Sequence, residues 1–298
     1  MKRINLLCTL KAVAFVVVTV LSCMMAQGVK AQTATTGDGA WKLVWHDEFD
    51  GNGPVDEAVW NYERGFVRNE EYQWYQPQNA YKLDGILVIE GRLDSIPNPR
   101  YEEGSRDWKR NRPFARYSAA SINTRGKFTF RFGRMEVRAR IPAVCGSWPA
   151  IWTLGESMPW PSNGEIDIME YYQVNGQPTI LANAAWGTDH RFHAKWDTQR
   201  VPYTHFLDKD PFWGERFHIW RMDWDEQFIR LYLDDELLNE VDLSQTINGE
   251  VGNHTNPFHQ PHYILLNLAI GGQNGGTPVA DAFPMRYEID WVRVFEKK

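Results

Sequence analysis

The sequence predicts an all-β protein, two antiparallel sheets packed face to face as one sandwich. Short runs rich in Val, Ile, Leu, Tyr and Trp recur along the chain, separated by Gly, Pro, Asn and Asp turn signals. Some of these runs alternate apolar and charged residues with a period of two, the pattern of a strand with one buried and one wet face. No segment sustains the 3.6-residue period of an amphipathic helix, and only 212–215 suggests a single turn. With no repeats and no low-complexity tracts, such a chain forms one domain rather than two.

The elements follow in order. Met1-Lys2-Arg3 gives a basic start, an apolar run extends from about Ala12 to Ala26, and Val29 and Ala31 precede Gln32 as small-residue cleavage determinants. That layout predicts a secretory signal peptide over 1–31, cut after Ala31. A second reading takes Val20-Leu21-Ser22-Cys23 as a bacterial lipoprotein box, which would leave a lipid anchor on Cys23. The apolar run is too short and too poorly flanked for a membrane-spanning helix, so the product is exported, either secreted or periplasmic. Residues 32–39 read as a polar linker and 40–298 as the folded domain. Strands are expected at 42–45, 86–91, 121–124, 133–140, 151–154, 165–170, 180–186, 217–224, 229–233, 236–241, 263–270 and 287–295. Asp234-Asp235 reads as the turn of a hairpin. Segments 94–116 and 188–213 read as long loops.

Charge and composition narrow the function. Removing 1–31 takes away Lys2, Arg3, Lys11 and Lys30 and leaves 28 basic against 38 acidic residues, a net charge of −10. An acidic surface argues against nucleic acid or an anionic membrane as partner. Cys8 and Cys23 lie in the leader, so a mature chain holds only Cys145 and no internal disulfide is expected; a core of this size does without one. All 14 tryptophans lie beyond residue 40. Some fill the core; others suit the C–H-rich faces of pyranose rings. The expected partner is therefore a polysaccharide or oligosaccharide, met by a monomer.

The chemistry points to Gly164-Glu165-Ile166-Asp167-Ile168-Met169-Glu170-Tyr171, three acids within six residues. On a regular strand Glu165 and Asp167 share one face, and Glu170 would turn into the core. An unpaired carboxylate there costs several kcal/mol. One extra residue at Ile168–Met169, a β-bulge, brings all three acids to one face. Glu165 and Glu170 then stand about 13 Å apart at Cα, from about 3.3 Å rise per residue. Side chains leaning together leave about 5–6 Å between carboxyl groups, near the roughly 5–5.5 Å of retaining glycosidases and below the roughly 6.5–9.5 Å of inverting ones. One glutamate would attack the anomeric carbon while the other handles the proton, with Asp167 holding a neighbour's pKa up. By spacing alone, an acidic solvated strand or a calcium site remains an alternative reading.

The flanking segments carry a resemblance. Trp45-His46-Asp47-Glu48-Phe49-Asp50-Gly51, Asn69-Glu70-Glu71-Tyr72-Gln73-Trp74-Tyr75, Gly146-Ser147-Trp148-Pro149-Ala150-Ile151-Trp152, Phe217-His218-Ile219-Trp220, Leu266-Asn267-Leu268-Ala269-Ile270-Gly271-Gly272 and Tyr287-Glu288-Ile289-Asp290-Trp291-Val292-Arg293-Val294, with the bulged acid motif, resemble glycoside hydrolase family 16 in its laminarinase-like, endo-β-1,3-glucanase branch. The resemblance implies a concanavalin-like β-jelly-roll sandwich with a concave substrate cleft over 40–298 and endo action. It implies Glu165 as nucleophile, Asp167 as assisting acid and Glu170 as general acid/base, with no cofactor required for catalysis. Trp148 and Trp152 are implied to line the cleft, and Asn69 to meet a sugar on the non-reducing side; Trp186, Gln260 and Asn267 are further substrate-binding candidates. Glu48, Gly91 and Asp290 match a structural calcium site of the family. One departure concerns the strand after the catalytic one, where Ala185 in Ala184-Ala185-Trp186-Gly187 stands in place of a frequent His. Mixed-linkage glucan and galactan- or mucin-type glycans therefore stand beside β-1,3-glucan as substrates. A non-catalytic surface glycan-binding protein is the alternative class, against which the intact acid triad argues.

Overall fold

The computed structural model describes residues 40–298, so the signal peptide over 1–31, the linker over 32–39 and Cys23 lie outside the described residues. Two sheets form the body. The first runs in the order Ala194–Pro202, Gln177–Gly187, Glu165–Val174, Ser147–Gly155, His262–Ile270, Ser121–Asn123 and Asn61–Tyr62. The second runs Glu236–Asp242, Phe228–Leu233, His218–Trp224, Gly133–Arg140, Met285–Lys297, Ile86–Pro97, Ala80–Leu83 and Gly53–Pro54, with Trp41–Asp47 also paired to Met285–Lys297. Among the described residues, pairings are antiparallel except one, Gln73–Tyr75 against Phe114–Ala119, which is parallel.

Alternation explains how the sheets meet. In Gly133–Arg140, Met135, Val137 and Ala139 are fully buried, while the arginines between them point outward. Those arginines find acids on neighbouring strands: Arg134 holds Asp223 through two hydrogen bonds of 2.6 and 2.8 Å, Arg138 holds Asp290, and Arg140 holds Glu288. On the first sheet, Ile166, Ile180, Ile264 and Leu266 face inward. Trp60, Trp220 and Trp224 are among the largest fully buried side chains, each a large contribution because aromatic side chains remove the most apolar area from water.

Strands appear at each predicted position, mostly longer than expected. The two predicted loops are partly strand. Ile86–Pro97 and Phe114–Ala119 pair across 94–116, and Ala194–Pro202 forms the edge of the first sheet inside 188–213. The remaining part of 98–113 is pinned by Asn98, whose side-chain N–H groups donate to the carbonyls of Lys109 and Arg112 at 2.9 Å each. The Arg112 guanidinium packs on Phe66, 4.4 Å from its centroid, and on Trp108 and Tyr72. Trp213–Glu215 makes the single expected turn. Cys145 departs from expectation: it is disulfide-bonded. Among the described residues no helix is long and apolar enough to cross a membrane.

Candidate active site

The first sheet carries a second, smaller apolar cluster on its outer face, formed by Ala150, Trp152, Tyr263 and Leu265. That face is the floor of the concave cleft. The catalytic strand, Glu165–Val174, lies beside it, paired with Ser147–Gly155 on one side and Gln177–Gly187 on the other.

The bulge is where the acids require it. Asp167 pairs with Asn183 and Glu170 with Leu181, so three steps on the catalytic strand oppose two on its neighbour. Against Ser147–Gly155 the same slip falls between Ile151↔Met169 and Trp152↔Asp167. Ile168 and Met169 both enter the core and are fully buried. Glu165, Asp167 and Glu170 therefore emerge on the cleft face. Gly164, immediately before Glu165, has φ +77, a conformation that L side chains rarely adopt, and a Cβ there would lie 2.9 Å from Pro257.

Each acid has its own partners. Glu165 accepts from the Trp160 indole at 2.7 Å and is hydrogen-bonded to Asp167. Glu170 accepts from the Trp148 indole at 2.8 Å and from the Asn183 amide at 2.9 Å. Asn183 also donates to Asp167 at 3.1 Å. One chain of contacts thus joins all three acids. Burial pushes Glu165 and Glu170 up, each to about 7, and pushes Asp167 well above the ordinary carboxylate range, where the charges of Glu170 and Glu165 add to the effect.

The two glutamates are raised alike, each to about 7, but have different neighbours. The Trp160 hydrogen bond and the positive charge of Arg68 favour ionised Glu165. Glu170 instead feels the negative charges of Glu165 and Glu71, which favour its protonated form against the Trp148 and Asn183 donors. Arg68 keeps its charge although burial opposes it, because Glu63 and Glu71 stand close. Its guanidinium lies 5.1 Å over the Trp152 ring and pairs with Glu63. Arg68→Met removes a cation that favours ionised Glu165. A nucleophilic Glu165 carboxyl would have to be ionised, so raising its pKa is expected to move the acid limb of kcat/KM to higher pH, by about one pH unit. An acid limb unmoved in the pH–rate profile of a folded variant would contradict this role.

The other predicted site residues separate into groups. Trp148 and Trp152 both face the cleft, 5% and 7% exposed. Trp152 is held by Asn267, whose side-chain oxygen accepts from its indole at 2.7 Å while its amide donates to the Tyr75 hydroxyl at 3.2 Å. Asn267 is thus committed to positioning Trp152. Asn69 sits at the cleft rim with φ +54, in a loop sewn to the sheet by Gln73, which accepts from the Ile270 N–H at 2.7 Å and donates to buried Glu71 at 2.7 Å. Gln260 braces a loop instead of facing sugar: its amide donates to the Asn163 carbonyl and its oxygen accepts from the Ser157 N–H. Trp186 is corrected. It alternates with Ala185 onto the core face and joins the main core cluster, so it does not line the cleft. Trp160, Asn183 and Arg68 were not singled out from sequence. Neither the register that pairs position 183 with Asp167 nor the loop position of Trp160 is written in the sequence pattern.

The calcium positions do not make a cation site. Glu48 is held by Arg293 through two hydrogen bonds of 2.9 and 2.8 Å, and Asp290 by Arg138. Gly91 pairs with Met285, five residues along that strand from Asp290. Guanidinium groups occupy the carboxylates that a divalent ion would need, and among the described residues no group of three or more His, Cys, Asp or Glu side chains converges.

A family model described as glycosyl hydrolases family 16 matches residues 71–293, a span that contains the bulged strand and most strands of both sheets. The chain belongs to glycoside hydrolase family 16. As a member it is a glycoside hydrolase, built on the jelly-roll sandwich, and its substrate is a glycan. It is 32% identical to the beta-glucanase of Rhodothermus marinus over 96% of this chain and 94% of that protein. It is 33% identical to glucan endo-1,3-beta-glucosidase A1 of Niallia circulans, over 86% of this chain and 38% of that longer protein. A solved structure from work on endo-acting O-glycanases that human gut microbiota express to initiate mucin breakdown superposes with a TM-score of 0.77 at 35% identity, covering 87% of this chain and 92% of that one.

Proposed function

We propose that this family 16 hydrolase is an exported, monomeric, endo-acting β-glycanase that cleaves β-1,3-glucan with retention of configuration. The observation that carries the reading is the pair of buried glutamates that one bulge brings to the same face of a strand, each with its own indole donor. Glu165, favoured as an anion by Trp160 and Arg68, attacks the anomeric carbon and forms a glycosyl ester. Glu170, favoured as an acid by its anionic neighbours, gives its proton to the departing glycosidic oxygen. In the second half-reaction the ionised Glu170 takes a proton from water, and that water displaces Glu165. Asp167 bonds to Glu165 throughout and returns hydrogen bonding as charge moves on and off the ester oxygen. No cofactor is needed for these steps.

The β-1,3-glucan assignment rests on the two glucanase relatives. A mucin-type glycan is the second reading, favoured by the higher identity to the O-glycanase-study structure and by Ala185, which lies opposite Glu165. Incubation with laminarin, mixed-linkage β-glucan, agar, porphyran and mucin O-glycans, with products sized by mass, tests both. Laminarin is expected to give a ladder of oligosaccharides whose first-formed ends are β by NMR. First-formed α ends would sink retention, monosaccharide alone would sink endo action, and a ladder from mucin glycans only would move the assignment to the second reading.

A further inference from the structure

Strand register extends the site beyond the residues so far described. Glu165 pairs with Ala185, and Ala185 with Trp196 on the edge strand Ala194–Pro202. Asp167, Asn183 and Thr198 make the next row, and Glu170, Leu181 and Arg200 the one after. Residues paired directly across an antiparallel ladder share a face. Asn183 fixes which face this is, because it donates to Asp167 and Glu170 in the cleft. The intervening positions point the other way: Ala184 is core, and its partner Asp197 accepts from Asn239 of the opposite sheet. Trp196 therefore stands on the cleft floor, in line with the nucleophile and two strand spacings away, roughly 9–10 Å. Among the described residues it is the one tryptophan left exposed, at 47%. In that row the residue between it and Glu165 is Ala185, whose side chain is small.

Trp148, Trp152 and Asn69 lie on the opposite side of the catalytic strand, toward His262–Ile270. The family resemblance implies that Asn69 meets a sugar on the non-reducing side, and the proposed reading places the non-reducing part of the glycan there. We infer that Trp196 is the stacking platform for the leaving-group side, seating the first or second sugar beyond the cleaved bond. A pyranose laid across the sheet from Glu165 meets its ring face to face, burying C–H groups against an otherwise wetted indole. The same platform holds an incoming sugar when a saccharide instead of water takes the glycosyl group from Glu165.

The inference rests on the proposed polarity of the cleft, and two substrates separate it from general damage. Laminarin needs sugars on both sides of the bond; β-laminaribiosyl fluoride needs them on the donor side only. Trp196→Ala is expected to lower kcat/KM on laminarin by about tenfold, chiefly through KM, and to leave the fluoride within about twofold. Transfer to an added laminari-oligosaccharide acceptor falls in parallel, and Trp196→Tyr restores most of both. Equal losses on laminarin and the fluoride, or no loss on laminarin, overturn the inference. If the parent enzyme ignores laminarin, the β-1,3-glucan reading fails by itself, and the same comparison is made with whichever panel polymer it cleaves and the matching glycosyl fluoride.

Discussion

Glu165→Ala is expected to abolish turnover on polysaccharide, by roughly 10⁴–10⁶-fold, without loss of folding. In the proposed mechanism the carboxylate supplies the ester oxygen, and no neighbour replaces it: burial and the charges of Glu170 and Glu165 disfavour ionised Asp167. Glu170→Ala differs in kind. It removes proton transfer, worth about 10²–10⁴-fold, and the loss should concentrate on unactivated glycans. On an aryl glycoside whose leaving group needs no proton, the first step survives and the second stalls, so a burst of aryl alcohol is expected. Added azide should separate the two variants. With Glu170→Ala it attacks the glycosyl ester and gives a β-glycosyl azide; with Glu165→Ala it occupies the vacated space and gives the α product. Wild-type-like hydrolysis of unactivated polymer by Glu170→Ala would overturn the role assignment.

The same groups carry a stability cost. The folded pKa of Glu170 lies above its ordinary value, at about 7. An acid shifted upward contributes most stability at low pH, where it is protonated in both states, and loses that contribution as pH rises through its folded pKa. Glu170→Gln is therefore expected to unfold at the parent's temperature near pH 4 and above it at pH 8–9. Burial that tunes the site for chemistry works against the fold under the conditions in which the chemistry runs.

How much of this was legible beforehand depends on the physical signal. Gly133–Arg140 was readable because a half-buried strand alternates in composition, and its bounds are those predicted. The bulge was readable for a stronger reason: three acids and a core cannot both be satisfied by strict alternation. Ala194–Pro202 was read as loop because an edge strand has only one neighbour and is wet on much of its surface. Its sequence, with Lys195, Asp197, Gln199 and Arg200, does not advertise burial, and Trp196 was hidden with it. Trp186 was misplaced for want of register: beside an unmarked face, alternation says only that Ala185 and Trp186 differ. The calcium positions failed because an acid in a strand is the same letter whether it meets a cation or the Arg293 guanidinium. Trp160 reaches Glu165 from a loop whose path no periodicity encodes.

Two single-residue deletions in the catalytic strand should have opposite outcomes. Removing Met169 leaves Glu165-Ile166-Asp167-Ile168-Glu170, a strictly alternating run that still places all three acids on the cleft face. Both neighbouring strands already count one residue fewer across this segment, so the ladder closes without a shift in either. The loss is one core side chain, about 2–5 kcal/mol with its cavity. The variant is expected to melt earlier and to keep measurable turnover. Removing Ile166 deletes a residue from the regular part of the ladder, where Glu165 and Asp167 each have a partner on both sides. Glu165 is then driven toward the core face, where its carboxylate has neither Trp160 nor Asp167 and costs several kcal/mol to bury. Turnover should fall to the level of Glu165→Ala. Melting temperature and kcat/KM on both variants decide the matter. If the Met169 deletion, shown folded by circular dichroism, is as inactive as the Ile166 deletion, then the bulge does more than set the face of Glu170, and the alternation argument that first located the site is incomplete.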